Sequence, residues 1–333
     1  MNEAIELLEV SRKHGKLAMP EACRLIIYIL FLRYIDFNRE KMSSYDEKFS
    51  IRYLARLYGE LVKPYEVVEY VKKIEKDLIS DAGLVSEALE KLLQKADDSH
   101  VQILFKTIDK IGFEEAKLYE TAAALLDTVA YAYGSGMGNI PTDLSLSRLE
   151  GRLLGCRDGM SVYDGFCGYG LSVNEAADGR GVIYIQDTEK ELVTVAAVLA
   201  VLKGNQIGGA RTGDSLTGLP EEEKYDRIIM EPPFSSKGRS GDSMPAQDSE
   251  TLALRHALDH LADDGIAAVL VPAGMLFKVW AAELRKKLVD SCLDAVIELP
   301  SGVLPSTRTA PALLILKKNR EKDTIFMVDA KDF

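Results

Sequence analysis

The stretch that decides the fold is YDRIIMEPPF, residues 225–234, in which an apolar, strand-like run ends abruptly in Glu231, Pro232, Pro233 and Phe234. Proline cannot continue a hydrogen-bonded strand ladder, so the two prolines fix a short extended turn and orient the groups on either side of it. Most double prolines only end a strand. The sequence nevertheless predicts a carboxylate and an aromatic ring at one strand tip, and the neighbouring segments decide whether that tip is functional.

Strands and helices alternate from about residue 145 onward. Continuous β-branched runs separated by helices indicate βαβ units on a mostly parallel sheet with both faces covered, so the predicted fold class is α/β. In such sheets ligands bind at the carboxyl ends of the strands, where Glu231 is placed. The helices are predicted at 189–202 and 248–261, and the strands at 160–163, 182–186, 227–230, 266–271, 293–298, 312–316 and 325–328.

The first 133 residues have a different pattern. Apolar residues recur there at spacings of three and four, and glycine is sparse, which predicts an N-terminal helical domain over residues 1–133. A glycine-rich passage at 134–141 then marks a boundary. We therefore predict a second, ligand-binding domain over residues 134–333.

Composition limits the function classes. The chain has 333 residues and a formal net charge of −11, which argues against a grip on nucleic acid by the whole surface and leaves a local basic groove or a basic partner subunit. Its four cysteines form no CxxC pair, so neither disulfides nor a metal site is predicted, and a cytoplasmic location is expected. The apolar run 25–32 is shorter than the roughly 20 residues that cross a bilayer, and no targeting peptide is visible.

A glycine turn follows the first strand of the second domain. Asp164 ends that strand, and Gly168 and Gly170 would let the backbone approach a ligand. This turn is a weak signal alone, because similar turns are common in structural loops. The nicotinamide fingerprint would also require a small residue where Val173 stands.

Two further acids follow the glycine turn. Asp187 ends the next strand and can accept both hydroxyls of a ribose, although it can equally cap the following helix. Asp214 lies ahead of the strand that begins at 225, where it could reach an adenine amino group or only form a turn. Each of these signals is weak alone. Their order on successive strand ends is more informative: the glycine turn, the two acids and then the Pro-Pro-Phe tip.

At this point the chain resembles the amino-type, N6-adenine DNA methyltransferases, and most closely the modification subunits of type I restriction-modification systems. The resemblance covers nearly the whole length. It includes LFLRYID at 30–36, Thr142 at a similar interval before the glycine turn, LVPAGMLF at 270–277, AVIELPSGV at 295–303 and LLILKK at 313–318. It implies a Rossmann-like class I S-adenosylmethionine-dependent methyltransferase sheet preceded by the helical domain.

The resemblance also implies roles for residues. Glu231 and the Pro232 carbonyl would accept hydrogen bonds from adenine N6, Pro233 would complete the tip, and Phe234 would stack on an adenine flipped out of double-stranded DNA. The implied partners are that DNA, a DNA-specificity subunit and a restriction subunit. S-adenosylmethionine would be held by Thr142, Asp164, Phe166, Gly168, Gly170, Asp187 and Asp214.

The chain departs from the family pattern at several positions. The family has Asn or Asp where this chain has Glu231, and the extra methylene moves the acceptor by about 1 Å, a displacement that can cost on the order of a hundredfold in rate. It also has Pro and Ser where Gly165 and Tyr169 stand, and the bulkier tyrosine is expected to crowd the cofactor. Asp143 replaces a proline. Family members usually continue beyond the position of Phe333 into a helical region that contacts the specificity subunit.

Two alternatives therefore stay open. One is a catalytically impaired methyltransferase-fold module that acts in assembly or cofactor sensing. The other is methyl transfer to a protein glutamine or an RNA base, because an amide or aromatic amine could use a similar tip.

The histidines, Cys167 and three basic residues are expected to have roles outside these motifs. His256 and His260 have a metal-like spacing of four, but no third ligand is apparent, so packing roles are predicted. Cys167 is expected to be a small packing residue. Lys237, Arg239 and Arg308 follow strand ends near the predicted site and are candidates for a DNA groove.

Overall fold

The computed structural model describes residues 2–79, 83–133, 140–218, 222–234, 237–238, 247–304, 307–320 and 323–331. The N-terminal part is helical, as predicted. Its helices are α1 (Asn2–His14), α2 (Met19–Phe37), α3 (Ile51–Leu57), α4 (Pro64–Ile74), α5 (Leu84–Leu93), α6 (Asp98–Ile111) and α7 (Ala116–Tyr133).

Helix α2 is the centre of this helical part. Pro20 lies in its first turn, where the missing N–H costs no hydrogen bond. The side chains from Leu25 to Leu32 are all buried, so this helix is apolar on every side and needs neighbours all round. Helices α1, α5 and α7 pack against it.

The rest of the chain forms a mixed α/β layer structure. Its helices are α8 (Leu144–Leu154), α9 (Leu171–Ala177), α10 (Lys190–Lys203), α11 (Ser215–Gly218), α12 (Ser249–His260) and α13 (Ala282–Ser291). Its strands are β1 (Ser161–Asp164), β2 (Val182–Asp187), β3 (Gln206–Thr212), β4 (Tyr225–Met230), β5 (Lys237–Gly238), β6 (Gln247–Asp248), β7 (Leu261–Pro272), β8 (Leu293–Glu298), β9 (Pro311–Lys317) and β10 (Phe326–Asp329).

The main sheet has the strand order β10-β8-β9-β7-β4-β1-β2-β3. Strands β3, β2, β1, β4 and β7 run parallel, and β9 is antiparallel to both of its neighbours. The chain order changes direction between β1 and β4, which is where open α/β sheets bind ligands. The α/β fold class is therefore confirmed.

Both faces of the sheet are buried, as the β-branched runs predicted. On β4, Ile229 joins one hydrophobic cluster, while Ile228 and Met230 join a second cluster on the opposite face. This alternation is the pleat of a strand covered on both sides. Helix α10 covers the first face and also contacts α2, α5 and α7, so the helical part packs on the sheet through it.

Several elements were missing from the sequence prediction, among them β3 and α8. Strand β3 has two adjacent glycines and an exposed edge position, so it lacks the β-branched pattern that indicated the other strands. Helix α8 follows the glycine-rich passage, and Asp143 caps it by accepting hydrogen bonds from the Ser145 and Leu146 amides at 2.8 and 3.1 Å. Residues 134–139 of the predicted boundary lie outside the described residues, and the division into two domains stays a prediction.

Candidate active site

The ends of β1, β2, β3 and β4 surround one cleft of about 620 Å³. The cleft lies at the carboxyl ends of parallel strands, as expected for this fold. It brings together ten residues that the sequence indicated: Thr142, Phe166, Gly168, Gly170, Asp187, Asp214, Glu231, Pro232, Pro233 and Phe234.

Asp164 lies beneath the cleft instead of lining it. Its side chain is 2% exposed, and Oδ1 accepts a hydrogen bond from the Phe166 amide at 3.0 Å. Burial raises the pKa of Asp164 well above its ordinary value, and the nearby charge of Glu231 raises it further. Asp164 therefore shapes the glycine turn from below, and its predicted contact with a cofactor stays a prediction.

The glycine turn needs its glycines for two different reasons. Gly168 has a φ of +49° and Gly170 a φ of +79°, which side chains rarely adopt. A Cβ on Gly168 would meet nothing within 4 Å, whereas a Cβ on Gly170 would lie 2.4 Å from the Ala196 Cβ. Gly168 thus keeps the cleft open, and Gly170 lets α10 pack against the turn.

Asp187 holds the turn and the next helix together. Its Oδ2 accepts from the Gly168 amide at 3.0 Å, and its Oδ1 accepts from the Glu189 amide at 3.1 Å, ahead of α10. Helix α10 has Glu189 as its N-cap residue and no side-chain cap, so the Asp187 bond forms a turn ahead of the helix and the capping alternative is not seen. Its carboxylate also lines the cleft, so a ribose contact is compatible with the same position.

Asp214 forms a turn at the start of α11. Its Oδ1 accepts from the Leu216 amide at 3.0 Å. The side chain is at the edge of the cleft, and its predicted approach to an adenine ring stays a prediction.

Tyr169 packs into the core. Its side chain is only 5% exposed and belongs to the hydrophobic cluster that α2 also enters. Burial raises the pKa of the Tyr169 hydroxyl, and the neighbouring charge of Arg24 opposes this shift. The bulky residue in the glycine turn is therefore accommodated mainly by contact with the helical part.

Glu231 is held by two hydroxyl groups. The Thr142 hydroxyl donates to its Oε2 at 2.7 Å, and the Ser172 hydroxyl donates to its Oε1 at 2.5 Å. Burial raises the pKa of Glu231, while both hydrogen bonds oppose the shift. The extra methylene thus lets the carboxylate reach back to α9 and to the segment before α8. Thr142 was predicted to hold S-adenosylmethionine, and in the structure its hydroxyl contacts Glu231.

Sequence reasoning missed the polar cluster behind Glu231. Ser147 and Ser172 bring their hydroxyl oxygens within 3.0 Å of each other, and Glu150 is fully buried one turn beyond Ser147 on α8. A serine and a glutamate three residues apart, on the same helix face as the buried Leu146 and Leu154, were the available signal.

The Pro-Pro-Phe tip is supported from α12. The Ser249 hydroxyl donates to the Pro233 carbonyl at 2.6 Å. Phe234 is partly buried and packs against the larger hydrophobic cluster, yet it also lines the cleft. Arg239 lies outside the described residues, Lys237 has its backbone in β5, and Arg308 is exposed.

The two histidines on α12 pack in the core. His256 lies 3.2 Å from the Tyr163 hydroxyl, and His260 lies 2.8 Å from the Glu223 carbonyl. Cys167 is buried, which raises its thiol pKa well above the ordinary value. Across the described ranges, no group of His, Cys, Asp and Glu is arranged to hold a metal ion. Within the same part of the chain, no helix is both long and apolar enough to cross a membrane.

The sequence profile of the N-6 DNA methylases matches residues 116–333, which is more than half of the chain. The chain belongs to the N-6 DNA methylase family. Among curated relatives of this N-6 DNA methylase, the type I restriction enzyme MpnII methylase subunit of Mycoplasma pneumoniae is 27% identical over 297 residues. That alignment covers 78% of this chain and 53% of the relative, so the chain spans about half the length of that protein.

Solved structures confirm the fold of this N-6 DNA methylase. A type I restriction-modification methyltransferase subunit from Streptococcus thermophilus superimposes with a TM-score of 0.76 at 19% identity, covering 98% of this chain and 86% of that chain. A putative class I S-adenosylmethionine-dependent methyltransferase from Listeria monocytogenes gives 0.60 at 16% identity, with coverage of 85% and 92%. The class I methyltransferase fold with preceding helices is thus confirmed.

Proposed function

We propose that this chain transfers a methyl group from S-adenosylmethionine to adenine N6 in DNA, as the modification subunit of a type I-like restriction-modification system. The observation that carries the proposal is the position of Glu231, a partly buried hydrogen-bond acceptor that shares one cleft with the glycine turn. Membership of the N-6 DNA methylase family supports the same reaction.

The residues of the cleft fit the proposed cofactor. A Cβ on Gly168 would enter open space, which is the space that a ligand against the turn would fill. Asp187 would bind the ribose hydroxyls, Asp214 would approach the adenine amino group, and Phe166 and Gly170 would complete the turn. Asp187, Asp214 and Glu231 also line the cleft, and acidic groups suit a cationic sulfonium. When bound, S-adenosylmethionine would supply an electrophilic methyl group.

Glu231 and the tip would act on the target base. The lone pair of an aromatic amine is delocalised into its ring, so acceptors must draw the amine hydrogens out of the ring plane before the nitrogen can attack. Glu231 and the Pro232 carbonyl would accept those hydrogens, and Phe234 would stack on the flipped base. Glu231 would then take the proton that the amine loses. Orientation carries most of the rate enhancement, because no strong base is needed before attack.

A separate specificity subunit would provide the sequence readout. The net charge of −11 suits a subunit that does not hold double-stranded DNA by itself. Its curated relatives are methylase subunits of type I restriction enzymes, so a restriction subunit would be a further partner. A cytoplasmic location follows from the proposed substrate.

The test is a tritiated methyl-transfer assay on mixed DNA, with and without a specificity partner. We expect transfer by the natural chain with the partner. Glu231→Asn loses the hydrogen bonds from Thr142 and Ser172 but restores the residue of the family pattern. A rise in transfer would show that Glu231 displaces the acceptor, and a fall would show that the two hydrogen bonds orient it. Cofactor binding without transfer by either chain would contradict the enzyme proposal.

The second candidate function is a non-catalytic module for assembly or cofactor sensing. It is favoured by the engagement of both Glu231 oxygens with hydroxyl donors. Calorimetric titration with S-adenosylmethionine separates an assembly module from the other possibilities. Absence of binding would contradict both the enzyme and a sensor of this cofactor.

A further inference from the structure

Glu150 is a buried acid behind the candidate site. It lies on α8 with 0% exposure, and within the described residues neither of its carboxyl oxygens makes a hydrogen bond of ordinary geometry. An isolated ionised carboxylate in such a place is strongly disfavoured unless it is paired. Glu150 therefore either has a compensating partner or carries a proton.

Its charged neighbours offer no compensation. The charges that act on Glu150 are those of Glu231, at the tip of β4, and Asp164, at the end of β1, and both are acidic. Ser172 on α9 and Glu231 are polar neighbours of the Glu150 carboxyl: Ser172 lowers the Glu150 pKa, and Glu231 raises it. Burial and these neighbours raise the Glu150 pKa well above its ordinary value, which favours the neutral form of its carboxyl.

The two glutamates differ in how well each stabilises a charge. Glu231 receives two hydroxyl hydrogen bonds, from Thr142 and Ser172, whereas Glu150 receives none of ordinary geometry. Hydrogen bonds to a carboxylate favour its charged form, and two adjacent acids do not both ionise readily. A proton shared by this pair therefore belongs on Glu150, and Glu231 is its nearest anionic acceptor.

We propose that Glu150 is a positioning residue: it carries a proton and donates a hydrogen bond to Glu231, which holds Glu231 as an oriented carboxylate. The catalytic part of this inference rests on the proposed function, because the oriented carboxylate is what would accept the amine hydrogens. The proton on Glu150 is a property of the folded chain alone. No covalent step is involved, and the pair holds one proton until the amine reacts.

The location of the proton is tested by infrared spectroscopy at neutral pH, which needs no activity. Protonated carboxylic acids absorb separately from carboxylates. Asp164 is a second buried acid with a raised pKa, so the difference from the natural chain is what decides. We expect Glu150→Gln to lose one carboxylic-acid component that Glu231→Gln keeps. Loss of the component from Glu231→Gln with retention in Glu150→Gln would place the proton on Glu231 and overturn the proposal.

Methyl transfer tests the positioning role with a matched pair of variants. Glu150→Gln keeps an N–H donor of nearly the same shape, and Glu150→Met has a similar length without a donor. We expect kcat to stay within about threefold for Glu150→Gln and to fall more than tenfold for Glu150→Met, with unchanged cofactor affinity in both. The natural chain should lose activity at alkaline pH as Glu150 ionises, and Glu150→Gln should lack that loss.

The outcomes separate a failed inference from a failed function. Equal activities of Glu150→Gln and Glu150→Met, with matching unfolding transitions and pH profiles, would show that Glu150 only fills space. If the natural chain transfers no methyl group, the infrared comparison still decides where the proton lies. If one glutamine variant does not fold, the infrared spectrum of the other still decides the result. Glu150→Gln is expected to lose the carboxylic-acid component and Glu231→Gln to keep it.

Discussion

The two glycines of the turn after β1 give a sharp prediction, because the same substitution should act mainly on stability at Gly170 and mainly on cofactor binding at Gly168. Gly170→Ala places a methyl group 2.4 Å from the Ala196 Cβ at a positive φ. Overpacking of a core costs about 1–3 kcal/mol, and a left-handed conformation costs a non-glycine residue about 1–2 kcal/mol. The free energy of unfolding should therefore fall by about 2–5 kcal/mol in total.

Gly168→Ala has only the conformational cost, because its new Cβ meets nothing within 4 Å. Its free energy of unfolding should fall by about 1–2 kcal/mol. The methyl group would, however, enter the cleft and weaken S-adenosylmethionine binding by at least about tenfold, equivalent to 1.4 kcal/mol. Urea unfolding and calorimetric titration on both variants measure the two effects. Equal destabilisation of the variants, or undiminished cofactor affinity in Gly168→Ala, would refute this account of the turn.

Three further predictions concern other parts of the chain. Asp187→Asn should weaken S-adenosylmethionine binding by about tenfold or more, since it removes one charged acceptor worth about 1.5–3 kcal/mol. If calorimetry shows an unchanged affinity for S-adenosylmethionine, Asp187 does not bind the ribose. Phe234→Ala should lower kcat/KM for DNA by about 5- to 150-fold through lost base stacking, with cofactor affinity as the control; a loss of cofactor affinity alone would contradict the stacking role. Burial lowers the pKa of His256 from 6.5 to about 4, so the unfolded chain binds this proton more readily. Between pH 7 and pH 5 the free energy of unfolding should then fall by about 2 kcal/mol more in the natural chain than in His256→Gln. If the urea midpoints of the two proteins fall by the same amount over this pH range, His256 is protonated in the folded state.

The sequence was sufficient to predict the sheet wherever strands have a strong apolar pattern. Strand β4 and its Pro-Pro-Phe tip are an example, since proline fixes local geometry whatever surrounds it. The acids at strand ends were also predictable, because parallel strands bring their carboxyl ends to one edge of the sheet. All but one of the predicted site residues line a single cleft, and Asp164 lies just beneath it.

The contacts within the site were not predictable from the sequence. Thr142 and Glu231 are 89 residues apart, and no local pattern indicates that their side chains meet. The placement of Tyr169 depends on α2, a distant element of the helical part. Glu150 was missed because its role depends on its neighbours in space. In the sequence of α8 it is only a polar residue on an apolar face.

The strand order has a consequence for how the chain folds. Strand β4 pairs with β1 through residues such as Ser161 and Asp226, which are 65 positions apart, so the two strand ends that frame the cleft join only after a long loop closes. A partly folded chain that lacks this pairing has no cleft. A ligand of the cleft would therefore stabilise the finished sheet by mass action and draw folding toward completion.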